Sequence, residues 1–250
     1  MSRPLALVTG GMRRLGAVIA AQLADAGYDL ALTSHGDGKD ADLAAALERN
    51  ETQWKHFPAD LSTSGAAEAV IDEAVVHFGR VPDLLVNNAA MFGQDDWEGL
   101  SAETLEGHFR LNLFAPLLLS RALVKMSGEQ AQPAIVHVVD QRITNPNGDQ
   151  LSYTLSKQAL AGSVRSLAAA FGKRARVNGV APGLVIPTDD YNDAQMARLH
   201  GEMPLGELPN AQAIAEAVLY LAKARHVTGQ ILFVDGGAHL RSYPRDFMHL

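Results

Sequence analysis

The chain has 250 residues, 47% of them hydrophobic and 20% charged, a soluble globular composition with enough length for one large core. Its net charge of −7 argues against a nucleic-acid or anionic-membrane partner, because both require a basic face. Without cysteine there is no disulfide, thiol nucleophile or cysteine-ligated zinc, and no apolar run approaches the roughly 18 residues of a membrane span.

The apolar run that opens the sequence is too short for a signal peptide, so a cytoplasmic protein is expected. The first predicted strand, 5–9, runs into the Gly-rich turn VTGGMRRLG and a predicted helix over 14–27. Such a turn brings backbone N–H groups and a helix N-terminus up to a pyrophosphate. A second strand, 29–34, ends in Thr33-Ser34-His35, with no carboxylate before Asp37. Helical spacing follows near 39–49, a strand at 53–57, then Asp60-Leu61 and a helix over 65–79 that ends in Gly. The fourth strand, 83–87, leads into Asn87-Asn88-Ala89-Ala90-Met91-Phe92.

Residues 101–127 read as one long continuous helix carrying Asn112. After a strand at 134–139 comes Asp140, then a helix over 151–172 that places Tyr153 and Lys157 at i and i+4 on one face. A nearby Lys ammonium is expected to lower the Tyr pKa and make the phenol a usable acid or base near neutral pH. A strand at 175–181 precedes Pro182-Gly183, and a loop over 184–208 is the expected substrate lid, its acidic residues 189, 190, 193 and 202 carrying no assigned role. A helix over 210–223 and a strand at 230–235 close the pattern. Seven strands alternating with helices imply a single α/β, doubly wound domain over 1–250 with a mostly parallel sheet. The nine histidines show no ligand spacing, so no metal is expected, and His35, His56 and His137 read as polar residues at strand ends or edges.

Taken in order, Thr9-Gly10 with Gly16, Asn88-Ala89-Ala90, Asn112, Tyr153 with Lys157, and Pro182-Gly183 resemble the short-chain dehydrogenase/reductase family over nearly the whole chain. That resemblance implies a Rossmann-type fold and a nicotinamide cofactor held by Thr9, Gly10, Arg13, Arg14, Leu15, Gly16, Ser34, His35, Asp60, Leu61, Asn88, Ala89, Ala90, Tyr153, Lys157, Pro182 and Gly183. It implies catalysis by Tyr153, Lys157, Asp140 and Asn112, the last holding a water that relays protons to the lysine. It also implies a homotetramer built on the helices near 101–127 and 151–172. The absence of a carboxylate at the end of the second strand, with Arg13 nearby, favours NADP(H); Asp37 facing the ribose is the NAD alternative.

Three departures from the family pattern point to a branch. Arg14 stands at the middle glycine of the fingerprint, Asp140 at the usual serine, and Phe92 follows Asn-Asn-Ala-Ala-Met. The combination resembles pteridine reductases and dihydromonapterin reductases, and implies that Arg14, Phe92, Asp140 and Tyr153 bind a pterin-like substrate. A carboxylate only accepts hydrogen bonds, so it suits a ring with N–H donors better than a carbonyl oxygen gaining charge. NADPH-dependent reduction of a dihydropteridine is the expected activity. The alternatives are reduction of another carbonyl or imine and, more distantly, a non-catalytic NADP-binding regulator.

Overall fold

The computed structural model describes residues 3–36, 38–129, 131–185 and 192–249. Among the described residues seven strands form one sheet: β1 (Leu5–Thr9), β2 (Asp29–Ser34), β3 (Trp54–Pro58), β4 (Leu84–Asn87), β5 (Ala134–Val138), β6 (Arg176–Pro182) and β7 (Ile231–Val234). Their spatial order is β3-β2-β1-β4-β5-β6-β7, and every pairing is parallel. The sheet is thus wholly parallel. β1, β5 and β6 are buried along their length, which is why they read as unbroken apolar runs.

Side-chain alternation along β1 divides the core. Ala6 and Val8 face one layer with Ile19 and Leu23 of α1 (Arg14–Asp25) and Ile214 and Val218 of the C-terminal amphipathic helix Ala211–Lys223. Leu5 and Leu7 face the other, with Ile71 of the helix Ala66–Phe78 and Leu119 and Leu123 of the helix Ala115–Met126. Strand order reverses between β1 and β4, and the crevice beyond the carboxyl ends of those strands is where a doubly wound sheet takes its ligand.

The helices are α1, α2 (Ala41–Arg49), α3 (Ala66–Phe78), α4 (Ala102–Phe109), α5 (Ala115–Met126), α6 (Leu151–Phe171), α7 (Asp193–Glu202) and α8 (Ala211–Lys223). Two differ from expectation. Residues 101–127 are not one regular helix: a π-turn, Arg110–Phe114, separates α4 from α5, and the Ala115 N–H reaches back to the Arg110 carbonyl. Pro116 has no N–H to give to the Asn112 carbonyl four residues back, so the helix widens there. The stretch expected as a lid loop contains α7, capped by the Asn192 side chain and anchored by Leu199 against Met203, Ala238 and Phe247. The middle of that stretch, 186–191, with acidic residues 189 and 190, lies outside the described residues, as does Asp37. No helix among the described residues is long and apolar enough to cross a membrane.

Candidate active site

The turn from β1 into α1 builds the phosphate end. Gly10 has φ +63°, and Arg14, at the position of the fingerprint's middle glycine, takes φ +52°. A left-handed conformation costs a non-glycine residue about 1–2 kcal/mol, so the Arg14 side chain is held there against a backbone penalty. A Cβ on Gly16 collides with the Gly10 carbonyl oxygen and crowds Asn88 Nδ2. The first turn of α1 has no acidic residue and no side-chain cap, which leaves its N–H donors for an anion.

An open groove of about 500 Å³ runs along this end. Gly10, Arg13, Arg14, Leu15, Gly16, Ser34, His35, Asp60, Leu61, Asn88, Ala89 and Ala90 line it. Thr9 does not. Its hydroxyl sits behind the wall, donating to the Val86 carbonyl and accepting from the Asn88 and Ala89 N–H groups at 2.9 Å. Thr9 therefore ties β1 to β4 and shapes the wall from behind. Asp60 is turned onto Ser62, and both contacts hold its carboxyl below the ordinary carboxylate range.

A second cavity, about 290 Å³, shares Arg14, Leu15, Asn88, Ala90 and Phe92 with the first. Its wall adds Asp140, Arg142, Tyr153, Lys157, Pro182, Gly183, Asp246, Phe247 and Met248. The Tyr153 hydroxyl donates to Asp140 Oδ2 at 2.9 Å, and the Phe92 ring meets the Tyr153 ring edge-on at 4.9 Å. Phe92 is half exposed, although large apolar rings are ordinarily covered, and its free face turns to the cavity wall. Lys157 Nζ donates to the Val138 carbonyl at 2.7 Å and lies 5.8 Å from the Tyr153 ring centre.

The electrostatics overturn one expectation. Lys157 does not bring Tyr153 down: burial, and then the Asp140 charge, push the phenol well above its ordinary value, with Arg142 pulling the other way. Burial lowers Lys157 to about 8, opposed by Asp140. At neutral pH the pair is a protonated tyrosine beside an ammonium.

Asn112 lies in the π-turn, fully buried, outside both cavities. Its side chain accepts from Met91 N–H at 2.8 Å and donates to the Met91 carbonyl and to Ser156 Oγ, so it fixes the segment leading to Phe92 and one turn of α6. Neither of these partners is Lys157, whose ammonium goes instead to the Val138 carbonyl. His137 is the penultimate residue of β5, wholly buried because that strand is interior to the sheet and not an edge. Its ring faces the Asn87 amide at 3.1 Å, and burial lowers it to about 3, so it stays neutral. Among the described residues no three His, Asp or Glu side chains group as metal ligands.

Sequence reasoning missed the partner of Asp140. Arg142 donates its backbone N–H to Asp140 Oδ1 at 2.9 Å and is itself buried against Asp246 and Gln150. Its position two residues after Asp140 was visible, but nothing in the local pattern tied it to a carboxylate near the end of the chain.

Comparison with known proteins bears on the fold and the family. A family model described as Enoyl-(Acyl carrier protein) reductase matches residues 11–239. Pteridine reductase 1 of Leishmania tarentolae is 33% identical, over 95% of this chain and 96% of its own length. The 3-oxoacyl-[acyl-carrier-protein] reductase FabG of Escherichia coli is 31% identical, over 94% and 97%. Among solved structures, FolM alternative dihydrofolate reductase 1 of Brucella canis, complexed with NADP, superposes with a TM-score of 0.87 at 31% identity, covering 98% of this chain and 97% of that one. Fold, glycine turn and Tyr-Lys helix lead to one conclusion: this chain is an oxidoreductase of the short-chain dehydrogenase/reductase family.

Proposed function

We propose that the enzyme uses NADPH to reduce a dihydropteridine to its tetrahydro form. The observation that carries this reading is the hydrogen bond from Tyr153 to Asp140, which puts a carboxylate at the reacting end of the cavity. The groove fits NADP. Gly10 and Gly16 leave room for a pyrophosphate at the α1 N-terminus, while Arg13 and His35 offer donors at the ribose end beside Ser34, whose hydroxyl is turned onto the Gly36 carbonyl. Lys157 reaches the ribose and Pro182-Gly183 flank the carboxamide side in this reading. The solved relative complexed with NADP supports it.

When bound, the cofactor supplies hydride to a ring carbon of a C=N bond. The chain's residues supply the rest. Phe92 offers a flat apolar face, and stacking there adds about 0.5–1.5 kcal/mol beyond area burial. Asp140 accepts from ring N–H or NH₂ groups, and Arg14 contributes a cation at the junction of the two cavities. Tyr153, held protonated, donates toward the nitrogen that gains a proton. Asn112 and Thr9 hold the walls. Reduction of another carbonyl or imine is the second reading, favoured by the FabG relative, whose identity is nearly that of the pteridine reductase. Incubation with NADPH and either 7,8-dihydromonapterin or a ketone panel separates them: loss of NADPH absorbance with the pterin supports the first, and loss with ketones alone supports the second.

Two further results are expected. Gly16→Ala forces a collision with the Gly10 carbonyl, an overpacking cost of about 1–3 kcal/mol. It should raise the KM for NADPH roughly ten- to hundredfold and lower the melting temperature by about 2–4 °C per kcal/mol of that cost. Because Lys157 is lowered to about 8, kcat/KM should fall as pH rises through that value and the ammonium is lost. Asp140 raises the Lys157 pKa, so Asp140→Asn should move this falling limb to lower pH, as a pH profile of both proteins will read.

The remaining proposals rest on the sequence pattern and, for the tetramer, on family resemblance. They are one domain over 1–250, a substrate lid over 184–208, a cytoplasmic location and a homotetramer. Exposed Phe114, Leu118 and Leu155 on the π-turn, α5 and α6 support the last, and light scattering on the eluted protein tests it.

A further inference from the structure

The end of the chain folds into the substrate side of the cavity and is fastened there. Arg245 Nε and the Asp246 N–H donate to the Asp149 carboxylate at 2.8 and 2.7 Å. Gln195 of α7 donates to the Phe247 and Met248 carbonyls at 3.1 and 3.0 Å. The Asp246 side chain is left pointing inward at Arg142. Both are nearly sealed from solvent, at 4% and 6% exposure.

Arg142 is shared between two carboxylates. Nη2 donates to Asp246 Oδ2 at 2.5 Å and Nη1 to Gln150 Oε1 at 2.9 Å. Only Nε faces Asp140, 3.3 Å from Oδ1 and without a well-aligned hydrogen bond. A guanidinium beside a carboxylate ordinarily takes both oxygens in a two-pronged pair. Were Arg142 free to do so, it would occupy Asp140 Oδ2, the oxygen that accepts from Tyr153. Asp246 and Gln150 hold the two terminal nitrogens away. The guanidinium therefore steadies one oxygen of Asp140 and leaves the other open.

We propose that Asp246, acting through Arg142, is a positioning residue for the Asp140–Tyr153 pair. The end of the chain is thereby part of the reacting apparatus and not only a fastening. The inference rests on Asp140 and Tyr153 being the reacting pair. It does not depend on which substrate they serve.

Asp246→Asn keeps the shape and the backbone bonds of the segment while removing its charge. The Tyr153 Cζ resonance, in tyrosine-labelled protein and identified by its loss in Tyr153→Phe, reports the hydrogen bond without any substrate. Asp246→Asn is expected to shift that resonance and to lower kcat about ten- to hundredfold, with the KM for NADPH unchanged. In an Asp140→Asn background the same substitution should not lower kcat again, and should shift the resonance less, by the direct effect of the Asp246 charge on Tyr153 alone. An unmoved resonance in Asp246→Asn, or an equal loss of kcat when Asp140 is already Asn, overturns the proposal. Should Asp246→Asn fail to fold, Arg142→Lys, which keeps the charge but lacks the fork, is expected to move the resonance, and an unmoved signal there overturns it equally. Absence of pterin turnover by the unaltered enzyme defeats the substrate reading alone, since the resonance needs no turnover.

Discussion

Tyr153→Phe is expected to lower kcat for dihydropterin reduction by about 10²–10⁴-fold, the span associated with losing a positioned proton donor. The change deletes one hydroxyl. The ring, its edge-on contact with Phe92 and its burial all remain, and Lys157 keeps its bond to the Val138 carbonyl. Affinity for NADPH, titrated by fluorescence, should therefore stay within about twofold, since the loss is confined to the reacting centre. A kcat within about tenfold of the unaltered enzyme would show that Asp140 or water gives the proton instead.

Asp140→Ser restores the residue the family pattern expects and should cost the enzyme its pterin activity. A hydrogen bond to a charged group is worth about 1.5–3 kcal/mol, so kcat/KM for the dihydropterin should fall roughly ten- to hundredfold. NADPH binding should change far less, because Asp140 bonds to Tyr153 and Arg142 and to none of the residues that line the phosphate and adenosine groove. The substitution is tolerable to the fold because Arg142 retains Asp246 and Gln150 as partners. An unchanged rate with dihydropterin, measured beside unchanged NADPH binding, removes the main support for the branch assignment.

Much of this architecture was legible because burial on both sheet faces writes itself as apolar runs. β1 and β2 end where the sequence pattern ends them. The π-turn was not legible from periodicity, which continues through Leu111 and Leu119, although Pro116 was the available signal. α7 was hidden by its polarity: Leu199 is the one residue of that helix in the small core cluster, and its partners Ala238 and Phe247 come from the far end of the chain. The same distance hid the Arg142–Asp246 pair, whose members stand 104 residues apart. Asp140 and Tyr153 were found because thirteen residues and one helix start separate them, a spacing that family resemblance supplies. Their effect on one another was legible only in part. The pairing of a tyrosine with a nearby ammonium was expected, whereas the dominance of burial over that ammonium required the packed structure.

The central claim is that the carboxylate at position 140 selects a donor-bearing ring over a ketone. Its most direct test is the ratio of kcat/KM for 7,8-dihydromonapterin to that for a simple ketone, measured with NADPH on the unaltered enzyme and on Asp140→Ser. A ratio that favours the pterin and falls at least about tenfold on substitution is the predicted result. A ratio that favours the ketone in the unaltered enzyme, or that stays constant when Asp140 becomes serine, contradicts it.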